Sequence, residues 1–323
     1  MKKTASVLLM FLLIFSLASC SKTADIAEDG KLSVVATVFP VYDWVRNIVG
    51  DVEDAQLTML LDTGVDLHSF QPTTEDLMRI NSCDVFIYVG GESDEWVEDA
   101  MKTLTSDEKP VVINLMDTLG DSLKEEEAVE GMETEEEEED HDHGEAEFDE
   151  HIWLSLKNAK VCVEKVTETL CNADPDNSDR YKKSAEKYIS ELSELDKEYV
   201  KVAENAQFDT VLFGDRFPFR YMTEDYGLKY YAAFMGCSAE TEASFETVSF
   251  LSEKVRELGL KTVLTLEGTN HSLAETIVKN SGTGAQILSM DSMQSVTGED
   301  VKNGADYLAI MEKNLEVLKK ALN

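Results

Sequence analysis

Apolar positions in this chain alternate between short unbroken runs and stripes spaced by three and four residues. The β-branched run Lys31–Phe39 predicts a buried strand that Pro40 ends; Val41, Trp44, Val45 and Ile48 then follow at helical spacing up to Gly50. Short strands are expected at 56–60, 85–89 and 111–115, and helices from near Glu75, behind a Thr73 or Thr74 cap, and at 96–104. A helix at 158–170 stops near Asp174-Pro175. Residues 178–206 then carry one long stripe through Tyr181, Ala185, Tyr188, Leu192, Leu195 and Tyr199. That length exceeds an ordinary globular helix and suggests a strut. Strands at 210–213, 230–234, 262–266 and 285–290, with helices at 244–257, 273–280 and 307–322, repeat the first pattern. The fold class is therefore α/β: two α/β lobes with mainly parallel sheets, 31–174 and 208–323, joined by one long linking helix at 175–207.

Charge narrows the function. The 323 residues include 65 Asp and Glu against 29 Lys and Arg, a formal charge of −36. That balance argues against nucleic acid and against docking on anionic lipid, and favours small cations. Much of the charge sits in a loop at 121–148, where a dense carboxylate run holds His141 and His143. It repels itself too strongly to bury a core, so a solvated loop is expected, carrying donors suited to divalent metals. His151 follows at once in an ordered, partly apolar segment. His68 and His151 both fall in loops beyond predicted strands, where open α/β sheets gather ligands.

The N-terminus predicts a signal peptide over residues 1–19: Lys2 and Lys3 precede an apolar run at 7–17 too short to span a bilayer. Leu17-Ala18-Ser19-Cys20 resembles the lipobox of bacterial lipoproteins, which implies cleavage before Cys20 and lipid on its thiol. Residues 20–30 then read as a tether, placing the protein on the extracytoplasmic face of the cell membrane, held through the lipid anchor only. Cys83, Cys162, Cys171 and Cys237 show no CxxC spacing and are expected as small buried hydrophobes.

Gly64-Val-Asp-Leu-His68-Ser-Phe-Gln-Pro-Thr73, the acidic His-bearing insert, Asp149-Glu-His151-Ile-Trp-Leu154 and the ending Tyr307-Leu-Ala-Ile-Met311-Glu-Lys-Asn314 together resemble the substrate-binding lipoproteins of zinc and manganese ABC importers. The resemblance spans essentially the whole mature chain. It implies a monomer with a metal cleft between its lobes, delivering a divalent cation to a membrane permease. Zinc is the expected cargo, with manganese as the alternative.

His68 and His151 match the family's first-lobe ligands. In the second lobe Arg216 stands in strict register with the usual histidine, and an arginine cannot ligate a metal. Asp215 is the substitute, one residue out of register, unless it serves as a turn residue or pairs with Arg216 or Arg220. Asp291 matches the fourth ligand. Glu267 is held in reserve, and it and His271 could instead orient a ligand. The expected set is His68, His151, Asp215 and Asp291, with His141 and His143 collecting zinc in the loop. Enzymatic function is not expected, since neither His-Glu-x-x-His nor Gly-x-Ser-x-Gly occurs. A surface adhesin is the remaining rival.

Overall fold

The computed structural model describes residues 31–50, 55–104, 110–133, 147–238 and 242–323. The signal peptide, the tether with Cys20, and His141 and His143 lie outside these residues.

The first sheet has strands β1 (Leu32–Ala36), β2 (Ala55–Met59), β3 (Val85–Tyr88) and β4 (Val111–Asn114) in the order β2-β1-β3-β4, all parallel. The second has β5 (Thr210–Phe217), β6 (Lys229–Met235), β7 (Thr262–Leu266) and β8 (Gln286–Met290) in the order β6-β5-β7-β8, again all parallel. In both sheets the chain reverses direction across the order beside its first strand. The carboxyl ends of β1 and β5 therefore face the crevice where such sheets bind ligands.

Local chemistry sets the boundaries. The first strand stops at Ala36, short of the expected Phe39, and Pro40 does not end it but sits in the first turn of the helix Phe39–Val49, where its missing N–H costs nothing. Thr73 caps the helix Thr74–Ser82 in a reciprocal box with Asp76, and Ser155 caps Leu156–Ala173 through Asn158 N. The linking helix Ser178–Glu204 buries the stripe Tyr181, Ala185, Tyr188, Leu192, Leu195 and Tyr199. It packs on the helices Phe39–Val49, Leu156–Ala173 and Tyr307–Ala321. Tyr199 Oη donates to the Met311 carbonyl at 2.7 Å, pinning the chain's last helix to the strut.

Polar contacts also tie the lobes together. Trp153 Nε1 donates to the Ser292 carbonyl at 2.8 Å, and Tyr307 Oη donates to the Trp153 carbonyl at 2.6 Å. The acidic loop leaves from a short antiparallel stem, in which Glu126 N donates to the Glu147 carbonyl at 2.8 Å and Asp149 N to the Lys124 carbonyl at 2.9 Å. Both loop ends are thereby held next to His151.

Candidate metal centre

His68 sits in a one-turn helix, Leu67–Ser69, that Asp66 caps by accepting from His68 N at 3.1 Å. Its Nδ1 lies 2.7 Å from Ser93 Oγ, and Ser93 N donates to Glu150 Oε1 at 2.7 Å. Gly91, at φ 81°, permits this arrangement: a Cβ there would stand 2.4 Å from Glu150 Oε1. His151 is fully buried. Asp149 Oδ1 accepts from both its backbone N, at 2.8 Å, and its Nδ1, at 3.1 Å. A carboxylate and a hydroxyl therefore occupy the two Nδ1 positions, which leaves both Nε2 lone pairs for a ligand.

Those lone pairs converge. The rings are 5.5 Å apart between centroids, and the Gln294 amide nitrogen touches both Nε2 atoms, at 3.3 Å from that of His68. Gln294 arrives there on a turn in which buried Met293 takes φ 63°, a left-handed backbone unusual for a side chain of its size. Glu267 supports the turn: Oε2 accepts from Ser292 N at 2.8 Å and Oε1 from Ser292 Oγ at 2.6 Å.

Burial, reinforced by the neighbouring His151, pushes the pKa of His68 down to about 3, so it is neutral and free to donate its lone pair. Burial opposes charge on His151 too, but Asp149, Glu150 and Glu126 outweigh it and hold its pKa above the ordinary value. That negative surround also suits a divalent cation.

Among the described residues, one group of His, Cys and carboxylate side chains brings its ligand atoms within 4.8 Å of one another: His68, His151 and Cys237. Cys237 follows β6 in the second lobe. Gly236 before it packs against His151; a Cβ there would lie 3.1 Å from Cε1 and 3.2 Å from Nδ1. Cys237 N is fixed by Glu126 Oε1 at 3.3 Å, and burial, with Glu126 and Asp149 next, pushes the thiol pKa well up.

The two second-lobe carboxylates fall outside this group. Asp215 lines the same cleft, of about 470 Å³, as His68. Its Oδ2, however, accepts from Leu266 N at 3.1 Å and Thr269 Oγ1 at 2.8 Å, and its Oδ1 from Arg216 N at 2.9 Å. It lies in the irregular stretch of β5 and holds that strand to the end of β7 and the loop after it. Asp291 Oδ1 accepts from Met293 N at 2.8 Å, and the side chain lines a separate pocket beside Asp300, Asp306 and Lys313. Glu267 is committed to Ser292, and His271 Nδ1 to Thr265 Oγ1 at 2.9 Å. Arg216 instead reaches across the cleft mouth to Asp66 at 2.6 Å. The expectation that Cys237 is a structural hydrophobe is corrected: it is half-buried and stands against the histidines. Cys83 and Cys162 are buried. Gly-Cys at a strand end was the available signal for Cys237, and its meaning depended on a contact with residue 151 that spacing does not reveal.

Residues 34–321 match the family model described as zinc-uptake complex component A, periplasmic (ZnuA). The high-affinity zinc uptake system protein ZnuA of Bacillus subtilis is 31% identical over 318 residues, covering 97% of this chain and 94% of the relative. The zinc-binding protein AdcA of Streptococcus pyogenes serotype M3 is 31% identical over 324 residues, 99% of this chain; the chain spans 61% of that relative's length. The Zn(II)-bound ZnuA-like domain of Streptococcus pneumoniae AdcA superposes with a TM-score of 0.70 at 29% identity, covering 91% of this chain and 99% of that one. The laminin-binding protein Lmb of Streptococcus agalactiae, at 24% identity and a TM-score of 0.71, shares the fold.

Proposed function

The chain belongs to the zinc-uptake complex component A family, and on that footing we propose that it is an extracytoplasmic receptor that captures zinc between its lobes and hands it to a membrane ABC permease. One observation carries this reading. Two imidazoles with occupied Nδ1 atoms turn both Nε2 lone pairs toward one point in the interlobe cleft. Such a site supplies two imidazole donors edged by carboxylates, so a divalent cation gains both ligation and a favourable field. The cation is cargo. No hydrolytic or transfer chemistry is needed, and the family is one of solute receptors.

The receptor is a monomer in this reading, anchored through lipid on Cys20. No helix of the described residues is long and apolar enough to cross a membrane. Contacts from both lobes surround the cleft, so occupancy biases how the lobes sit, and a permease can read that difference.

The test is a competitive titration of metal-stripped protein with zinc and manganese. One tight zinc per chain is expected, with His68→Ala weakening it by more than about 100-fold, beyond the loss typical of removing an outer partner. Tight manganese in preference to zinc would move the receptor to the other cargo. The absence of any tight site would leave the laminin-binding likeness as the better guide.

A further inference from the structure

A cation gripped between lobes needs a donor from each. His68 and His151 both come from the first lobe; of the second lobe's acidic candidates, Asp215 accepts from Leu266, Thr269 and Arg216 through both oxygens, and Asp291, held by Met293 N through Oδ1, lies outside the group that the histidines form. Cys237 is the second-lobe group whose ligand atom lies within 4.8 Å of both histidines. We propose that the thiolate of Cys237 is the second lobe's ligand to the cation, completing a His68–His151–Cys237 site. This rests on the receptor reading above and says which chemistry that receptor selects.

The placement is built into the chain. β6 delivers Gly236 flat against the His151 ring, where any side chain would intrude, so the next residue must stand beside the imidazole. Glu126 holds the Cys237 backbone N–H from the stem of the acidic loop. Arg216, at the position where the second lobe would otherwise offer a side-chain donor, is taken by Asp66. Among the described residues Cys237 has no disulfide partner.

The distances set a mechanical requirement. Tetrahedral zinc with nitrogen at ~2.05 Å and sulfur at ~2.3 Å needs its donors about 3.5 Å apart. The three ligand atoms, all within 4.8 Å of one another, need only a small adjustment to reach that spacing. Since the sulfur belongs to one lobe and the imidazoles to the other, a cation bound by all three ties the lobes together. The Gln294 amide, already against both Nε2 atoms, can turn its oxygen to the cation as fourth donor. On coordination the S–H bond is exchanged for a metal–sulfur bond, and the proton leaves to solvent; nothing is oxidised or reduced. A thiolate is a soft donor, so the site discriminates against manganese, which favours oxygen ligands.

The experiment loads the full chain, carrying Cys20→Ala to prevent lipidation, with cobalt(II) as a spectroscopic stand-in, and repeats the zinc–manganese competition on Cys237→Ser and Cys237→Asp. Wild type should show a thiolate-to-cobalt charge-transfer band in the near ultraviolet. Both variants should lose the band. Cys237→Ser should bind zinc more than about 10-fold more weakly; Cys237→Asp should retain metal but shift its preference toward manganese. A cobalt spectrum without the band, together with unchanged zinc affinity in Cys237→Ser, would overturn the assignment. His68→Ala, run alongside, separates the failures: if it abolishes zinc binding while Cys237→Ser does not, only the cysteine assignment falls. If neither variant affects zinc, the receptor site itself is elsewhere.

Discussion

His151 offers a lone pair to the cleft because Asp149 holds its other nitrogen, and it keeps its place because Gly236 packs against the ring at Cε1 and Nδ1. Gly236→Ala tests this without deleting any donor atom. The added Cβ would press on His151 and on the Phe217 carbonyl at 3.0 Å. Zinc affinity should fall about 10-fold or more by calorimetry while the protein remains folded, in the range seen when outer partners of a metal site are disturbed. This scale is also where sequence reading reached its limit. His68 and His151 were legible because their flanking motifs are distinctive. Asp215 and Asp291 were legible as acids at strand ends, but whether a carboxylate is free depends on which N–H groups surround it. Leu266 N, Thr269 Oγ1 and Met293 N are brought to them only by folding. Cysteine spacing searches for pairs and passes over a lone thiol whose partners are histidines in the other lobe.

At the scale of elements, the alternation of runs and stripes made both sheets and the linking helix readable, because buried parallel strands and an amphipathic strut each leave a plain apolar signature. What it could not show is the irregularity in β5. The strand was expected to stop at Phe213, yet it runs to Phe217 with its register against β6 shifted between Phe213 and Arg216. Gly214 sits in that stretch because the helix Ser272–Ser281 packs onto it, Ala274 Cα lying 2.9 Å from where a Cβ would be. The extra residue turns Asp215 toward β7 and Arg216 toward the cleft, as bulges re-aim side chains near binding sites. The resulting Arg216–Asp66 pair joins the second lobe to the cap of the His68 turn. Arg216→Gln should therefore leave zinc stoichiometry unchanged but speed its dissociation several-fold in stopped-flow exchange with a chelator. A dissociation rate equal to wild type would mean that the pair does not latch the cleft.

Over the whole molecule, a formal charge of −36 and several buried carboxyl groups act in the same direction. Burial pushes Asp43 up to about 6, Asp94 up to about 7, and Glu267 up to about 7 with Asp291 beside it. In the unfolded chain such groups titrate near ~4. A folded pKa above the unfolded one gives stability that is complete below about pH 4 and is lost as pH rises through the folded value. The window is therefore about pH 4 to 7, and each group is worth on the order of 2 kcal/mol across it. His68, held at about 3, acts the other way and offsets roughly one such acid between pH 7 and 5, leaving the net sign to the three acids; carboxylates shifted down, such as Asp209, act below about pH 4, outside the window. Metal-free protein should accordingly show a lower urea midpoint at pH 7.5 than at pH 5, the reverse of ordinary acid denaturation. Self-repulsion of the surface charge predicts the same sign, but salt screens it and barely reaches a buried carboxyl. If the drop persists in high salt and shrinks in Asp94→Asn, burial is its source. If salt abolishes it, the surface field alone sets the stability of the empty receptor, and the buried acids are neutral bystanders.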